Sequence, residues 1–349
     1  MHVYVGLSGG VDSSVAAHLL LKAGHQVTGV FIRTWQPSHV PCTQPDDERS
    51  ALQAALYLGI PFFTLDLSKL YRNEVGTHFI EGYSRGETPN PDVLCNREVK
   101  FGGFLSYALA HGADAVATGH YARVKKEEGT FSLLRGVDPQ KDQSYFLSLL
   151  SQEQLSHTLF PLGEYTKEEV RRIASSIDLP NAARKDSQGI CFLGAIDLEE
   201  FLSAYIDITP GVVLDQSGMP IGTHRGAPLY TLGERHGFTI EKKSGNHDEP
   251  LYISAINVSE NTVTAVSQQN LPSYRRLRLR DVVDRGAQKN AIYQAQVRYH
   301  GGKYSAQATQ EHNGWIIVLK EGVLVSPGQT VVLYENDTLV LAGILTEVA

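Results

Sequence analysis

The sequence predicts an α/β fold: a parallel sheet wrapped by helices, with two small C-terminal β-rich domains, the last of them barrel-like. Strand and helix patterns alternate from residue 1 to about residue 120, which is typical of a parallel sheet between helices. Beyond Thr209, glycine and proline recur among short β-rich segments. The chain has 349 residues, 42% of them hydrophobic, and we place its domains at residues 1–204, 205–270 and 271–349.

The individual elements follow from hydrophobic periodicity. Apolar runs predict early strands at 2–7, 26–32, 61–67 and 114–118. Helical spacing predicts helices at 13–23, 47–58, 69–85 and 98–111, and residues 164–202 are predicted to be mainly helical. Later strands are predicted at 251–256, 262–266, 292–300, 315–319 and 338–345. Such sheets bind ligands at the carboxyl ends of their strands, where residues 8–14 and 118–121 lie.

Residues 8–14 form the most informative motif, Ser-Gly-Gly-Val-Asp-Ser-Ser, between a predicted strand and a predicted helix. Gly9 and Gly10 lack a Cβ, so the backbone can adopt positive φ and approach an anion, and the helix dipole favours negative charge there. No Gly-Lys-Ser or Gly-Lys-Thr follows, so the motif is not a Walker loop. A glycine-rich turn without a ligand is the alternative. We predict a phosphate-binding loop and nucleotide chemistry.

Composition and charge argue against several classes of protein. No apolar run reaches membrane-spanning length and no secretion signal precedes the first strand, so we expect a cytoplasmic protein without membrane contact. Three cysteines argue against a secreted disulfide framework, and Cys42, which has no basic neighbour, is expected to be structural. The net charge of −7 does not suggest nucleic-acid binding, although phosphate contacts need only a local basic face.

A second strong motif, residues 88–96, reads Thr-Pro-Asn-Pro-Asp-Val-Leu-Cys-Asn. Its two prolines predict an extended loop just before the next helix. A cysteine near a helix start has its thiolate favoured by the helix dipole, which makes Cys95 a candidate nucleophile. Asp92 can serve the same site as a general acid or base if the loop folds back.

The third cysteine, Cys191, has two interpretations. Arg184 and Lys185 are close to it in sequence and would favour its thiolate, which is the reactive form of the side chain. Ile190 and Phe192 would instead bury it as an inert core residue. The local sequence leaves both interpretations open.

Residues 275–280 alternate arginine with leucine and predict a strand with one basic and one apolar face. The basic face is a candidate track for RNA phosphates, and Arg298 and His300 are predicted on the same side of a later strand. A strand face that is merely solvated is an equally good interpretation of this run.

Further motifs lie along the chain: Thr-Gly-His-Tyr-Ala-Arg at 118–123, Lys-Asp-Gln-Ser-Tyr-Phe-Leu at 141–147, Gln-Gly-Ile-Cys-Phe at 188–192, Tyr-Thr-Leu-Gly-Glu-Arg at 230–235 and Ser-Pro-Gly-Gln at 326–329. Together with 8–14 and 88–96, they resemble the tRNA-specific 2-thiouridylases from Val5 to the C-terminus. The motif at 8–14 is shared by all PP-loop ATP pyrophosphatases, whereas Asn-Pro-Asp-x-x-Cys with Gly-Ile-Cys-Phe is specific to this family. The resemblance implies an adenine nucleotide alpha hydrolase-like (PP-loop) first domain.

The resemblance also implies a reaction. The family uses ATP, with Mg²⁺ and without a tightly bound metal, to activate O2 of a tRNA wobble uridine, and then replaces that oxygen with sulfur. Cys191 is implied as the persulfide carrier and Cys95 as the nucleophile that releases its sulfur, after which the two thiols can join as a disulfide. Asp92 fits general acid or base work on the uridine. The implied partners are tRNAs for Lys, Glu and Gln and a sulfur-donor protein from a cysteine desulfurase relay.

The family pattern assigns residues to three ligands. The ATP site is implied to contain Gly6, Leu7, Ser8, Gly9, Gly10, Val11, Asp12, Ser13, Ile32 and Gly119. The extruded target base is implied to contact Asn90, Pro91 and Asp92. Other tRNA contacts are implied for His120, Lys141, Asp142, Gln143, Arg298, Tyr299 and Gln329. Ile32 can equally be plain core, His120 a structural histidine and Gln329 an ordinary turn residue.

The sequence departs from the family pattern at two places, and two other functions compete with the implied one. The segment 35–42 is shorter than usual, and Glu87 stands where a basic residue is common, which puts a local phosphate contact in doubt. The main competing function is another PP-loop ligase, of the argininosuccinate or GMP synthetase type, which needs no paired thiols. A non-catalytic RNA-binding protein would need neither the motif at 8–14 nor Cys95.

Overall fold

The computed structural model describes residues 1–40, 42–185, 197–241, 249–311 and 314–349. The strands of its first sheet are β1 (His2–Gly6), β2 (Gln26–Arg33), β3 (Phe62–Asp66), β4 (Ala115–Ala117) and β7 (Thr158–Leu159). They lie in the order β3-β2-β1-β4-β7, and all neighbours are parallel, as predicted. The order reverses between β1 and β4, which is the point where open α/β sheets bind ligands.

Helices cover both faces of this sheet. The helices are α1 (Val11–Lys22), α2 (Gln44–Leu58), α3 (Ser68–Tyr71), α4 (Thr77–Ser84), α5 (Pro91–Leu94), α6 (Leu105–Ala110), α7 (Gln152–Ser156), α8 (Lys167–Ser176) and α9 (Leu198–Ser203). Val3 and Val5 pack with α1 and α2, whereas Tyr4 faces the opposite core that α4 and α6 line. Within the described ranges, no helix has the length and apolar character needed to cross a membrane.

Two π-helical segments join shorter helices into longer ones. Arg72–Gly76 connects α3 to α4, and Cys95–Phe104 connects α5 to α6. The helix predicted at 98–111 therefore begins earlier, at Pro91. The loop predicted before it is present up to Asn90, and the prediction is wrong for residues 91–96, which are helical. Proline is favoured at the first helical position, where its missing N–H costs no hydrogen bond. The Asn90 side chain caps this helix by accepting hydrogen bonds from the N–H groups of Asp92 and Val93.

The middle of the chain forms a five-stranded sheet in the order β10-β9-β8-β12-β11. Its strands are β8 (Gly211–Leu214), β9 (Pro220–His224), β10 (Phe238–Ile240), β11 (Leu251–Asn257) and β12 (Thr262–Ser267). Short 3₁₀ helices lie at Ser144–Leu147, Ala227–Leu229 and Gln268–Asn270. Ile253 and Val263 of this sheet are fully buried in the same core as the first domain.

The C-terminal strands close into a barrel, as predicted, because β13 pairs with both β16 and β18. They are β13 (Tyr274–Asp284), β14 (Tyr293–Gln296), β15 (Lys303–Glu311), β16 (Gly314–Val323), β17 (Thr330–Glu335) and β18 (Thr338–Val348). The barrel sheet extends into a hairpin of the first domain, β5 (Ala122–Glu127) and β6 (Thr130–Arg135), for which no element was predicted. The strand predicted at 292–300 ends at Gln296, so Arg298 and His300 do not lie on it.

Candidate active site

The predicted phosphate loop lies between β1 and α1, at the switch point of the sheet. Gly9 has φ +79, and a Cβ there would lie 2.4 Å from the carbonyl oxygen of Asp47. Gly10 is extended and precedes the first turn of α1. The Ser13 hydroxyl accepts a hydrogen bond from the N–H of Ser8 at 3.2 Å and donates to the Gly10 carbonyl at 3.2 Å. The loop therefore has the glycine conformation and the helix start that an anion site needs.

Asp12 lies in the first turn of α1, and two side chains contact its carboxylate. Its two carboxylate oxygens lie 2.7 and 2.8 Å from Lys167 Nζ, and Tyr121 donates its hydroxyl to the same carboxylate at 2.9 Å. Lys167 is the first residue of α8, whose start is capped reciprocally by Thr166 and Glu169. Sequence reasoning missed Lys167. The capping pattern predicts where this helix begins, but nothing local predicts that its lysine meets the loop.

The other residues implied for ATP surround the same place. Gly119, after β4, packs so closely on α1 that a Cβ would lie 2.7 Å from the nitrogen of Ser13. Ile32 is buried in β2 next to β1, and Gly6 ends β1. Leu7 and Val11 are buried in the hydrophobic clusters on either side of α1. The structure thus brings these residues together around the loop, whereas their contact with a nucleotide stays a prediction.

His120 lies behind this loop in an apolar environment. Its ring packs near Phe101 and Phe160, and its Nδ1 is 2.6 Å from the Thr118 hydroxyl. Burial, with a smaller contribution from the charge of Lys100, holds the pKa of His120 well below its usual value. The imidazole is therefore neutral at pH 7, and 9% of its surface is exposed, which leaves little area for the implied tRNA contact.

Cys95 lies one turn into the helix that begins at Pro91 and is completely buried. Cys95 is near a helix start, as predicted, but because the dipole effect fades beyond the first turn, the dipole gives its thiolate less support than predicted. Asp92 is half-buried in the first turn, and Pro91 is buried. Asn90, Pro91, Asp92 and Cys95 therefore share one helix turn and its cap.

A turn of the C-terminal barrel packs directly on the segment before this helix. The Gln329 side chain donates to the Thr88 carbonyl at 2.7 Å, and the Thr88 N–H donates to the Pro327 carbonyl at 2.7 Å. Gly328 has φ +88, and a Cβ there would lie 3.0 Å from the Thr88 backbone. Glu87 is paired with Arg85. The structure thus joins the implied tRNA contact Gln329 to the 88–96 motif.

Aromatic rings link the barrel to the same helix. Tyr299 lies against Phe146 with ring centroids 4.2 Å apart, and the Phe146 carbonyl accepts a hydrogen bond from Asn96 at 3.1 Å. The buried Tyr145 hydroxyl donates to the Thr330 carbonyl at 2.8 Å. Arg298 follows β14, and its guanidinium donates to the Leu324 carbonyl at 3.1 Å. Arg298 and Tyr299 are both half-buried, and Tyr299 is linked through Phe146 to Asn96 of the helix that carries Cys95.

Two of the residues at 141–143 that are implied to contact tRNA make hydrogen bonds within the protein itself. The Asp142 carboxylate accepts hydrogen bonds from the N–H groups of Gly136 and Ser144, each at 3.1 Å. Gln143 donates its N–H to the Tyr121 carbonyl at 2.9 Å and accepts the Tyr121 N–H on its side chain at 3.1 Å. Lys141 is half-buried. Asp142 and Gln143 therefore shape the loop that follows β6, and their role toward tRNA stays a prediction.

The other two cysteines of the chain are Cys191 and Cys42. Cys191 lies outside the described residues. Arg184, one of its two basic neighbours in sequence, pairs with Asp47 beside the phosphate loop, and Lys185 is exposed. Cys42 is exposed, so a structural role in a core does not apply to it.

The alternation predicted for 275–280 is confirmed, because Leu277 and Leu279 are buried and the intervening arginines are exposed or half-buried. Each arginine of this face, however, has an acidic neighbour: Arg276 lies 3.4 Å from Glu311, Arg278 2.9 Å from Glu347 and Arg280 3.6 Å from Glu87. These pairs reduce the positive potential of the face and favour the interpretation as a solvated strand.

The described residues hold no preformed metal site. Across the described part of the chain, no cluster of three or more His, Cys, Asp or Glu side chains is arranged to bind a metal ion. The Asp12 carboxylate beside the phosphate loop is already contacted by Lys167 and Tyr121, so a Mg²⁺ ion that arrives with a nucleotide would have to displace the lysine and would keep water and phosphate oxygens as its other ligands.

Comparison with known proteins gives a consistent result along the whole chain. Family models match in succession: a tRNA methyl transferase HUP domain over residues 1–195, a tRNA methyl transferase PRC-barrel domain over 199–267 and an aminomethyltransferase beta-barrel domain over 277–345. The tRNA-specific 2-thiouridylase MnmA 1 of Geobacillus kaustophilus is 41% identical over 357 aligned positions, which cover 99% of this chain and 95% of the relative. The tRNA-specific 2-thiouridylases MnmA of Bacillus mycoides and Halalkalibacterium halodurans are each 40% identical, with the same coverage. The chain therefore belongs to the tRNA-specific 2-thiouridylase family.

Proposed function

We propose that this enzyme replaces O2 of a tRNA wobble uridine with sulfur and uses ATP to activate that oxygen. The observation that carries the proposal is the contact between the helix that contains Cys95 and the strand that leads into the phosphate loop. Phe104, at the other end of the π-helical segment that begins at Cys95, would be 3.7 Å from a Cβ on Gly6, the last residue of β1.

In the first step, uridine O2 attacks the α-phosphorus of ATP, and pyrophosphate leaves. The N–H groups of residues 8–14 and the α1 dipole stabilise the phosphates, and Lys167 beside Asp12 supplies positive charge. Mg²⁺, bound by Asp12 and the phosphates, would neutralise the leaving pyrophosphate. Asp92 is suited to move a proton on the uridine, because it lies half-buried in the turn that precedes Cys95.

In the second step, sulfur replaces the activated oxygen. The Cys95 thiolate attacks the inner sulfur of a Cys191 persulfide, which forms a Cys95–Cys191 disulfide and releases hydrosulfide. Hydrosulfide attacks C2 of the uridine, and AMP leaves with the former O2. An external thiol then reduces the disulfide with two electrons. Cys191 follows Arg184 by seven residues, and seven residues of chain can span at most about 25 Å.

We propose the same substrate and partners that the family resemblance implies. The tRNAs are those for Lys, Glu and Gln, and a donor protein of a cysteine desulfurase relay loads Cys191 in the cytoplasm. The wobble base leaves the anticodon stack and contacts Asn90, Pro91 and Asp92. Gln329 and Tyr299 support RNA binding there, because Gln329 contacts Thr88 and Tyr299 packs on Phe146, which accepts a hydrogen bond from Asn96. Arg298 is the residue before Tyr299 and adds a positive charge.

One experiment separates this function from a PP-loop ligase and from a non-catalytic RNA-binding protein. The purified enzyme is given tRNA, a loaded donor with radioactive sulfur, and ATP or no ATP. We expect sulfur in tRNA only with ATP, one AMP per sulfur, and no transfer by a Cys191→Ser variant. A ligase would form AMP without labelling tRNA, and an RNA-binding protein would do neither.

A further inference from the structure

Side chains distant in sequence bind the carbonyl groups of the phosphate loop. The Gly9 carbonyl accepts hydrogen bonds from Ser50 Oγ at 2.8 Å, Asn181 Nδ2 at 2.9 Å and Arg184 Nη1 at 3.2 Å. The Gly10 carbonyl accepts from Asn181 Nδ2 at 3.2 Å. Asn181 is therefore a donor to two consecutive carbonyls of the loop.

These bonds orient the N–H groups that follow. In a trans peptide, a carbonyl and the N–H of the next residue point in opposite directions, and no peptide bond in the described residues is cis. Because the Gly9 and Gly10 carbonyls point toward Asn181, the N–H groups of Gly10 and Val11 point away from it, and the Gly10 N–H makes a long hydrogen bond of 3.4 Å to Ser8 Oγ in the same loop. An anion site of this kind requires consecutive N–H groups to face the ligand, and a rotated peptide would present a carbonyl oxygen to a phosphate instead.

Burial and hydrogen bonds hold the Asn181 side chain in one orientation. Its side chain is 7% exposed, and its amide nitrogen also donates to Ser14 Oγ at 2.9 Å. The carbonyls can only accept, so the nitrogen and not the oxygen of the amide must face the loop. The turn that carries it is attached to α8, because the Arg171 guanidinium donates to the carbonyl of Ala182 at 2.9 Å and to that of Arg184 at 2.6 Å.

We propose that Asn181 is a positioning residue for ATP cleavage, which acts through the loop backbone without contacting the nucleotide. The inference rests on the proposed function. It makes a specific claim about which part of the nucleotide is affected: Asn181 orients the groups that bind phosphate, so its loss weakens the binding of phosphates and leaves the binding of the nucleoside unchanged.

The test compares two ligands on Asn181→Leu, which keeps the approximate side-chain shape and stays uncharged but removes the donor. Titration calorimetry measures the Kd for α,β-methylene-ATP, which cannot be cleaved between these phosphates, and for adenosine, which has none. We expect the Kd of the ATP analogue to rise at least tenfold and that of adenosine to change less than twofold. Asn261→Leu is the matched control, because Asn261 likewise donates to two backbone carbonyls, those of Thr209 and Pro210, in the middle domain.

Equal weakening of both ligands, or no change in either, would overturn the inference. Should Asn181→Leu fail to fold, Ser50→Ala removes one donor to the Gly9 carbonyl. We expect it to weaken binding of the ATP analogue about threefold and to leave adenosine binding unchanged, and equal effects on both ligands would contradict the inference. A wild-type enzyme that binds neither ligand and forms no AMP would refute the proposed function itself, which separates the two failures.

Discussion

Lys167 Nζ lies within hydrogen-bond distance of both carboxylate oxygens of Asp12, at 2.7 and 2.8 Å. The two residues are 155 positions apart and come from the starts of α8 and α1. Both side chains are mostly shielded from solvent, with 16% of Lys167 and 30% of Asp12 exposed. A carboxylate at a helix N-terminus is stabilised by the dipole. A phosphate that approaches the loop therefore meets an ammonium group that is already positioned.

Lys167→Gln should reduce the rate of ATP cleavage at least tenfold, which corresponds to about 1.4 kcal/mol of transition-state stabilisation. The helix start should survive, because the N–H of Lys167 donates to Asp138 and the Thr166 cap is unchanged. Pyrophosphate release measures the effect. Lys22→Gln, at the exposed last turn of α1, is the control and should cleave ATP normally. An equally active Lys167→Gln enzyme would exclude the lysine from the phosphate site.

Gly9→Ala and Gly24→Ala form a matched pair at the two ends of α1. Both glycines have positive φ, +79 and +82, so both substitutions carry a backbone strain of about 1 kcal/mol or more. Only at Gly9 would the new Cβ meet a backbone atom, the Asp47 carbonyl oxygen at 2.4 Å, whereas nothing lies within 4 Å at Gly24. We expect ATP-dependent AMP formation to be lost in Gly9→Ala and retained in Gly24→Ala. Similar activities in the two variants would show that the loop is not the nucleotide site.

The phosphate loop could be predicted because all its signals are local: a strand, two glycines and a helix within one short segment. Lys167 and Asn181 could not, because they reach the loop from 155 and 172 residues away, and no local pattern records that contact. The helix start at Pro91 was not predicted for another reason. Proline disfavours a helix interior but favours the first turn, and the capping asparagine decided between these effects.

The Cys42 and Cys95 thiols should differ in reactivity before any substrate binds. Cys42 is exposed and Cys95 is completely buried, so an alkylating reagent should modify Cys42 at least tenfold faster in the folded enzyme. Peptide mass mapping over a time course measures both rates, and unfolding in denaturant should equalise them. Fast labelling of Cys95 in the folded enzyme would show that its side chain is accessible in solution.

In turnover, Cys95→Ser should permit a persulfide to form on Cys191 but block sulfur transfer unless an external thiol releases the sulfur. Cys191→Ser should lack the persulfide altogether, and Cys42→Ser should behave like the wild type. Mass analysis of the trapped enzyme distinguishes the three variants. Full thiolation by Cys191→Ser would end the assignment of that residue as the sulfur carrier.

The arginine face of β13 should contribute little to RNA binding. If all three arginines met phosphates, replacing them with alanine would flatten the dependence of log K on log salt by roughly two to three units. Because Arg276, Arg278 and Arg280 are paired with acids, we expect a change below about one unit. The double variant Glu311→Gln and Glu347→Gln unpairs Arg276 and Arg278 and should tighten tRNA binding at low salt. A flattening of two units or more in the triple variant would restore the phosphate track.

His120 should make the stability of the first domain depend on pH. Burial lowers its pKa well below 6.5, so below pH 6.5 the unfolded chain takes up a proton that the folded chain does not. The unfolded state then binds more protons, and the free energy of unfolding falls as the pH falls, by up to about 1.4 kcal/mol per pH unit from this residue. Above pH 6.5 this contribution is fully retained.

His120→Gln removes that proton uptake while leaving a side chain that can hydrogen-bond to Thr118. Denaturant unfolding at pH 7.0, 6.0 and 5.0 should therefore show a smaller loss of stability with acidification in the variant than in the wild type, whatever its absolute stability. His111→Gln, at an exposed position, should keep the wild-type pH dependence. Parallel pH profiles for wild type and His120→Gln would mean that the buried imidazole is protonated in the folded enzyme, and a charged contact with RNA phosphate at this residue would then become physically reasonable.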